Sequence, residues 1–229
     1  MEMRQGYPTP SARESHSIII SPHPDVISVR KYLVYTSYFF NITIAIFTVA
    51  IVFMNPGPEN ESGELRYISE GMERHCGWSI VVLGTSSTFT CVTHFIAAIH
   101  IENKSVFAFI ILECIGWNVV LGVIDTGWTL HYVGLMSFLI GILGFNWICS
   151  RDINYGTLTY KTLNMISVIF AIIFMGMAVI SSFNPNVREL RGCAVSLEFV
   201  VMGSFTVQSF IFASRLNQYK EIYIMFHHR

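Results

Sequence analysis

Apolar residues in this chain run in long unbroken stretches and do not alternate with polar ones. Six such stretches account for most of its 229 residues: Leu33 to Met54, Gly77 to Ile99, Ser105 to Asp125, Trp128 to Cys149, Thr162 to Phe183 and Cys193 to Ser214. A bilayer core of about 30 Å takes about 20 mostly apolar residues in a helix. In lipid, only helices and closed barrels satisfy their own backbone polar groups. Barrel strands alternate in polarity, and runs such as Ile44 to Phe53 do not. The pattern predicts an all-α polytopic membrane protein, a bundle of six transmembrane helices. Residues 1–30, with Pro8, Pro10, Pro22 and Pro24, read as a disordered tail. Residues 31–214 read as one membrane domain and 215–229 as a second tail. Without an apolar run and cleavage site near the start, the first span is the expected targeting signal.

Composition sharpens the picture. Hydrophobic residues make up 52% and charged residues 13%, against about 25% charged in a typical soluble domain. The net charge of −1 supplies no basic field for nucleic acid. The basic residues divide unevenly between the two sides. With the N-terminus in the cytosol, the inner side carries Arg4, Arg13, Arg30, Lys31, Lys104, Arg151, Lys161, Arg215, Lys220 and Arg229. The outer side carries Arg66, Arg74, Arg188 and Arg191. The positive-inside rule then places both termini in the cytosol.

Of the five cysteines, Cys91, Cys114 and Cys149 fall inside spans, where a small core residue is the simple reading. Cys76 and Cys193 both stand at the outer end of a span. Either they form a bridge on the oxidising side or their placement is coincidental.

Ionisable groups inside a span are costly and are the first candidates for function. They are His94, Glu113, Asp125, His131 and Glu198. Glu198, His131 and Asp125 share an outer layer, with Glu198 roughly 8 Å below Cys193 at 1.5 Å per residue. His94 and Glu113 share an inner layer. The expectation is that Glu198 accepts a hydrogen bond from His131 or from a lipid headgroup. The alternative is a structural Glu–His pair that fixes the bundle. Glu113 is either a second polar site or a neutral packing residue bonded to a neighbouring helix. No metal spacing, nucleophile elbow, phosphate loop or ion filter occurs. No metal and no cofactor are therefore expected, and nothing calls for enzyme chemistry.

The segment after Ser214 holds two tyrosine-x-x-apolar tetrapeptides, Tyr219 to Ile222 and Tyr223 to Phe226. Such segments add as a strand to a sorting adaptor, or the aromatic residues simply rest on the membrane interface. Asn60-Glu61-Ser62 is an acceptor sequon in the first outer loop.

Three strings suggest a family. Tyr67-Ile68-Ser69-Glu70-Gly71 resembles the Tyr-Ile-Ser-Asp-x-Gly loop of the damage-regulated autophagy modulators (DRAM). Leu130-His131-Tyr132-Val133-Gly134 resembles the His-x-x-Gly motif of their fourth span. Ser196-Leu197-Glu198-Phe199 resembles their Cys-Glu-Trp element, with Leu197 and Phe199 standing where Cys and Trp are usual. The superfamily also contains a post-GPI-attachment factor and a yeast suppressor of phosphatidylinositol-kinase loss. The resemblance implies a non-catalytic multi-pass regulator or scaffold tied to lipid handling. Its implied partners are membrane lipids, and its implied place is the endolysosomal or plasma membrane. Glu113 leans instead toward the GPI-factor branch, a Golgi lipid-remodelling factor with an acyl-transfer component. A small transporter is disfavoured by the scarcity of intramembrane charge.

Overall fold

The computed structural model describes residues 26–28, 30–53, 67–74, 76–99, 101–122, 128–152, 155–184, 187–218 and 223–225. Asp125, Tyr219, Ile222, Phe226 and the Asn60 sequon lie outside them. The elements in chain order are β1 (Val26–Ser28), α1 (Arg30–Phe53), α2 (Ile68–Arg74), α3 (Cys76–Ser79), α4 (Thr85–Ala98), α5 (Val106–Gly122), α6 (Trp128–Arg151), α7 (Leu158–Phe183), α8 (Arg188–Gln218) and β2 (Tyr223–Met225). A π-helical turn at Ile80–Gly84 joins α3 to α4, and together they form one apolar rod from Cys76 to Ala98.

Five helical stretches are long and apolar enough to cross a membrane, and α5 is a shorter sixth. Its 17 residues rise about 25 Å, at the lower limit for a span. The polarity of the bundle is that of a protein in lipid. Tyr32, Phe39, Ile46, Ile172 and Phe183 face outward, while Asn41, Thr90, Asn146, Asn164, Ser167 and Gln208 are buried. Lipid offers no hydrophobic drive between helices, so small residues and interhelical hydrogen bonds hold them together. Gln208 on α8 bonds the Ser167 hydroxyl on α7, and Ser167 bonds Ser204 at 2.8 Å. The Tyr160 hydroxyl donates to Asn146.

The rods close into a ring in chain order: α1 packs on the α3–α4 rod, then α5, α6, α7 and α8 follow, and α8 returns to α1. The tightest contact is α5 on α6. A Cβ on Gly116 would collide with the Phe138 backbone nitrogen, and one on Gly141 with that of Glu113. Glycine at these positions lets the two backbones touch.

Two departures from expectation matter for the site. The first outer loop, which carries Glu59, Glu61, Glu64, Glu70 and Glu73 and reads from sequence as a connection between spans, contains a helix. This is α2, whose Ile68 and Met72 are 2% and 3% exposed and pack with Leu83, Trp117 and Phe174. The described end of the first tail is also not disordered. Val26–Ser28 pairs antiparallel with Tyr223–Met225, Ile27 opposite Ile224. That ribbon puts the start of α1 and the end of α8 on one face of the bundle, here the tail face, with α2 on the opposite, lid face.

Candidate functional site

The first amides of a helix have no intrahelical acceptor, and α2 begins where such amides would be buried. Two carboxylates meet that need. Glu70, three residues after Tyr67, reaches back so that its Oε2 accepts from the Tyr67 amide at 3.1 Å, as in one half of a capping box. Glu198 on α8 accepts the Ile68 amide at 2.8 Å. The other oxygen of Glu70 accepts from the Arg191 guanidinium of α8 at 2.6 Å. Tyr67 and Ser181 of α7 are also hydrogen-bonded through their side chains. Burial pushes the Tyr67 phenol above its usual range, the Ser181 bond opposes this, and the nearby Glu198 and Glu70 add to it. In this way α2 is fastened to α7 and α8 as a lid.

Beneath the lid is a cavity of about 50 Å³. Tyr67, Ile68 and Ser69 roof it, His131 and Tyr132 enter from α6, and Glu198 enters from α8, with walls of Trp117, Leu139, Phe174 and Val201. The cavity holds residues from all three strings that carry the family resemblance. His131 and Glu198 share it, but the hydrogen bond expected between them is replaced. Glu198 serves the Ile68 amide, and His131 bonds the Val120 backbone of α5. The reason is local: a buried helix-start amide and a span carbonyl each lie within reach, and each needs a partner where water is absent. Tyr132 bonds Ser182 at 2.8 Å. Gly71 is buried within α2, its amide bonding the Tyr67 carbonyl at 3.2 Å.

The inner pair meets as its depth predicts. His94 Nδ1 lies 3.5 Å from Glu113 Oε2, and the two residues are 1% and 4% exposed. Glu113 thus faces His94 of a neighbouring rod at ion-pair distance, without a hydrogen bond between them. The imidazole stacks on Phe145 with centroids 4.2 Å apart and meets Phe212 edge-on at 5.3 Å. Cys91 and Cys114 adjoin the pair, their side chains in hydrogen-bond contact.

The bridge suggested between Cys76 and Cys193 is not formed, and both are free thiols. Cys76 is part-buried at the start of α3, whereas Cys193 lies on the exposed face of α8. Among the described residues, no three of His, Cys, Asp and Glu gather as a metal site. Sequence reasoning did not single out Arg191 and Ser181. Arg191 carried a signal, because it precedes Glu198 by seven residues and so shares its helix face. Ser181 carried none. No family model, curated protein or solved structure matches this chain.

Proposed function

We propose that this protein is a multi-pass membrane regulator or scaffold tied to lipid handling, of the autophagy-modulator or phosphoinositide-kinase-regulator type, in endolysosomal or plasma membranes. The observation that supports this reading is the lidded cavity. Three strings far apart in the chain converge on it, with polar groups under the lid and apolar walls below. That gradient suits one end of an amphipathic ligand: at about 50 Å³ the cavity takes a single small polar group of a lipid, held by Ser69, Tyr132 and Glu198, with the rest of the lipid outside it. Pockets that pair apolar walls with a few convergent polar groups are ordinary ligand sites.

The test is photo-crosslinking of the purified protein in nanodiscs with a photoactivatable phosphoinositide or diacylglycerol. Labelling of peptides from α6 and α8 is expected. Ala178 lines the cavity, so Ala178→Phe fills it, and labelling should fall strongly. Equal labelling of the filled variant would refute the reading.

A second reading is a GPI-anchor lipid-remodelling factor with an acyl-transfer component. It draws on the buried His94–Glu113 pair, the kind of couple in which a carboxylate orients a histidine base. Localisation separates the two. Residence of the full chain in the Golgi favours the second, and residence in lysosomes or the plasma membrane favours the first.

A further inference from the structure

A second cavity, also of about 50 Å³, lies deeper in the bundle between α1, α4, α5, α6 and α8. Its polar lining includes Asn41, Ser87, Thr90, Glu113 and Thr206. The hydrogen bonds of these residues share one feature: their donors are already engaged with their own helices. Asn41 Nδ2 donates to the Ser37 carbonyl at 2.7 Å. The Ser87 hydroxyl donates to the Gly84 carbonyl at 3.1 Å, and that of Thr90 to the Ser86 carbonyl at 3.0 Å. The Thr206 hydroxyl donates to the Met202 carbonyl at 3.1 Å. What remains for the cavity is the amide oxygen of Asn41, hydroxyl lone pairs and the Glu113 carboxylate. These four side chains and Glu113 accept and do not donate; the Ser209 hydroxyl, which also lines the cavity, can do either.

Glu113 is 4% exposed and its Oε2 has no hydrogen-bond partner. Among the described residues, the cationic candidate beside it is His94 at 3.5 Å, packed against the face of Phe145. The other titratable groups that interact with the pair are Cys91 of α4, Cys114 of α5, Cys149 of α6 and Tyr160 of α7. The lining residues from α1, α6 and α8 carry no titratable side chain. A buried carboxylate without a compensating group is costly.

We propose that this cavity binds one small monovalent cation of sodium's size, held by the Glu113 carboxylate and by neutral oxygens of Asn41, Ser87, Thr90 and Thr206. Hard oxygen ligands suit a hard cation. One carboxylate among neutral oxygens matches a single positive charge, whereas calcium sites draw on several carboxylates. An anion would face the Glu113 carboxylate with the Ser209 hydroxyl as its donor. Trp117 and Met202 line both this cavity and the one under the lid, so these two side chains separate them. This site is independent of the lipid reading.

The experiment is thermal unfolding of the full chain in nanodiscs, in sodium chloride against choline chloride at equal ionic strength. Sodium at roughly tenfold above its Kd should raise Tm by about 3–5 °C, saturably. Glu113→Gln should abolish the rise. Thr206→Val should raise the half-maximal sodium concentration about threefold or more. Gly176→Ala, outside both cavities and with nothing within 4 Å of the added Cβ, should keep the full rise. Broadening of the ²³Na resonance by the unmodified protein provides a readout that does not depend on any variant folding. The proposal is overturned if Tm is the same in sodium and choline, if Glu113→Gln keeps the rise, if ²³Na is not broadened, or if acidification reproduces the whole rise without sodium preference.

Discussion

Replacing Glu198 by alanine leaves the Ile68 amide at the start of α2 buried without its acceptor. The cost should be about 1–3 kcal/mol, the ordinary penalty for an unsatisfied buried group. Glu198→Gln keeps an oxygen acceptor and should be milder. Limited proteolysis at the lid should follow the same order, and an unchanged lid in Glu198→Ala would show that the remaining contacts of α2 suffice. Tyr67 makes a pH prediction. Its phenol titrates above the usual value of about 10 in the folded protein. The unfolded chain therefore gives up this proton first as pH rises. The stability the group contributes is complete below about pH 10 and is lost as pH climbs through the folded value. Tyr67→Phe should flatten the alkaline limb of a Tm–pH profile, and an unaltered limb would contradict the assignment.

At the level of elements, the α5–α6 seam is the point at which a single methyl group matters most. Gly141→Ala places a carbon on the Glu113 backbone, while nothing lies within 4 Å of a Cβ at Gly176. Overpacking in a tight contact costs about 1–3 kcal/mol. Gly141→Ala should lower Tm and cellular abundance, and Gly176→Ala should change neither. A tolerated Gly141→Ala would mean that α5 and α6 can separate. The spans themselves were legible because the bilayer sets a length that apolar runs must match, and the meeting of His94 with Glu113 followed from counting residues inward from the ends of two rods. The fold-back of α2 was not legible. Only Ile68 and Met72 mark its apolar face, in a loop otherwise rich in glutamate. The choice of Glu198 for a backbone amide was hidden for the same reason, since a partner inside an unrecognised helix cannot be anticipated.

For the whole molecule, the β1–β2 pairing requires both ends on one side, as six crossings would if the shorter α5 spans with the other five. Ile27→Cys with Ile224→Cys should therefore cross-link under mild oxidation in membranes. Failure would argue that the ribbon does not persist there. Labelling of intact cells should reach a cysteine introduced near Gly63 and not one at Asn154. The opposite result would invert the sidedness drawn from the basic residues.

The ribbon also bears on how the protein is delivered. Tyr223 begins the second tyrosine tetrapeptide and lies in the strand paired with Val26–Ser28. A cargo adaptor that reads such a segment takes it as an added strand. On the edge already given to β1, the N-terminal tail is then a rival for that segment within the same chain. Two-stranded ribbons are only marginally stable in water, so the rivalry is weak and easily reversed. If these tyrosines are the sorting signal, a chain lacking residues 1–28 should be internalised faster than the intact one. Masking one end of the chain would in this way set the traffic of the other.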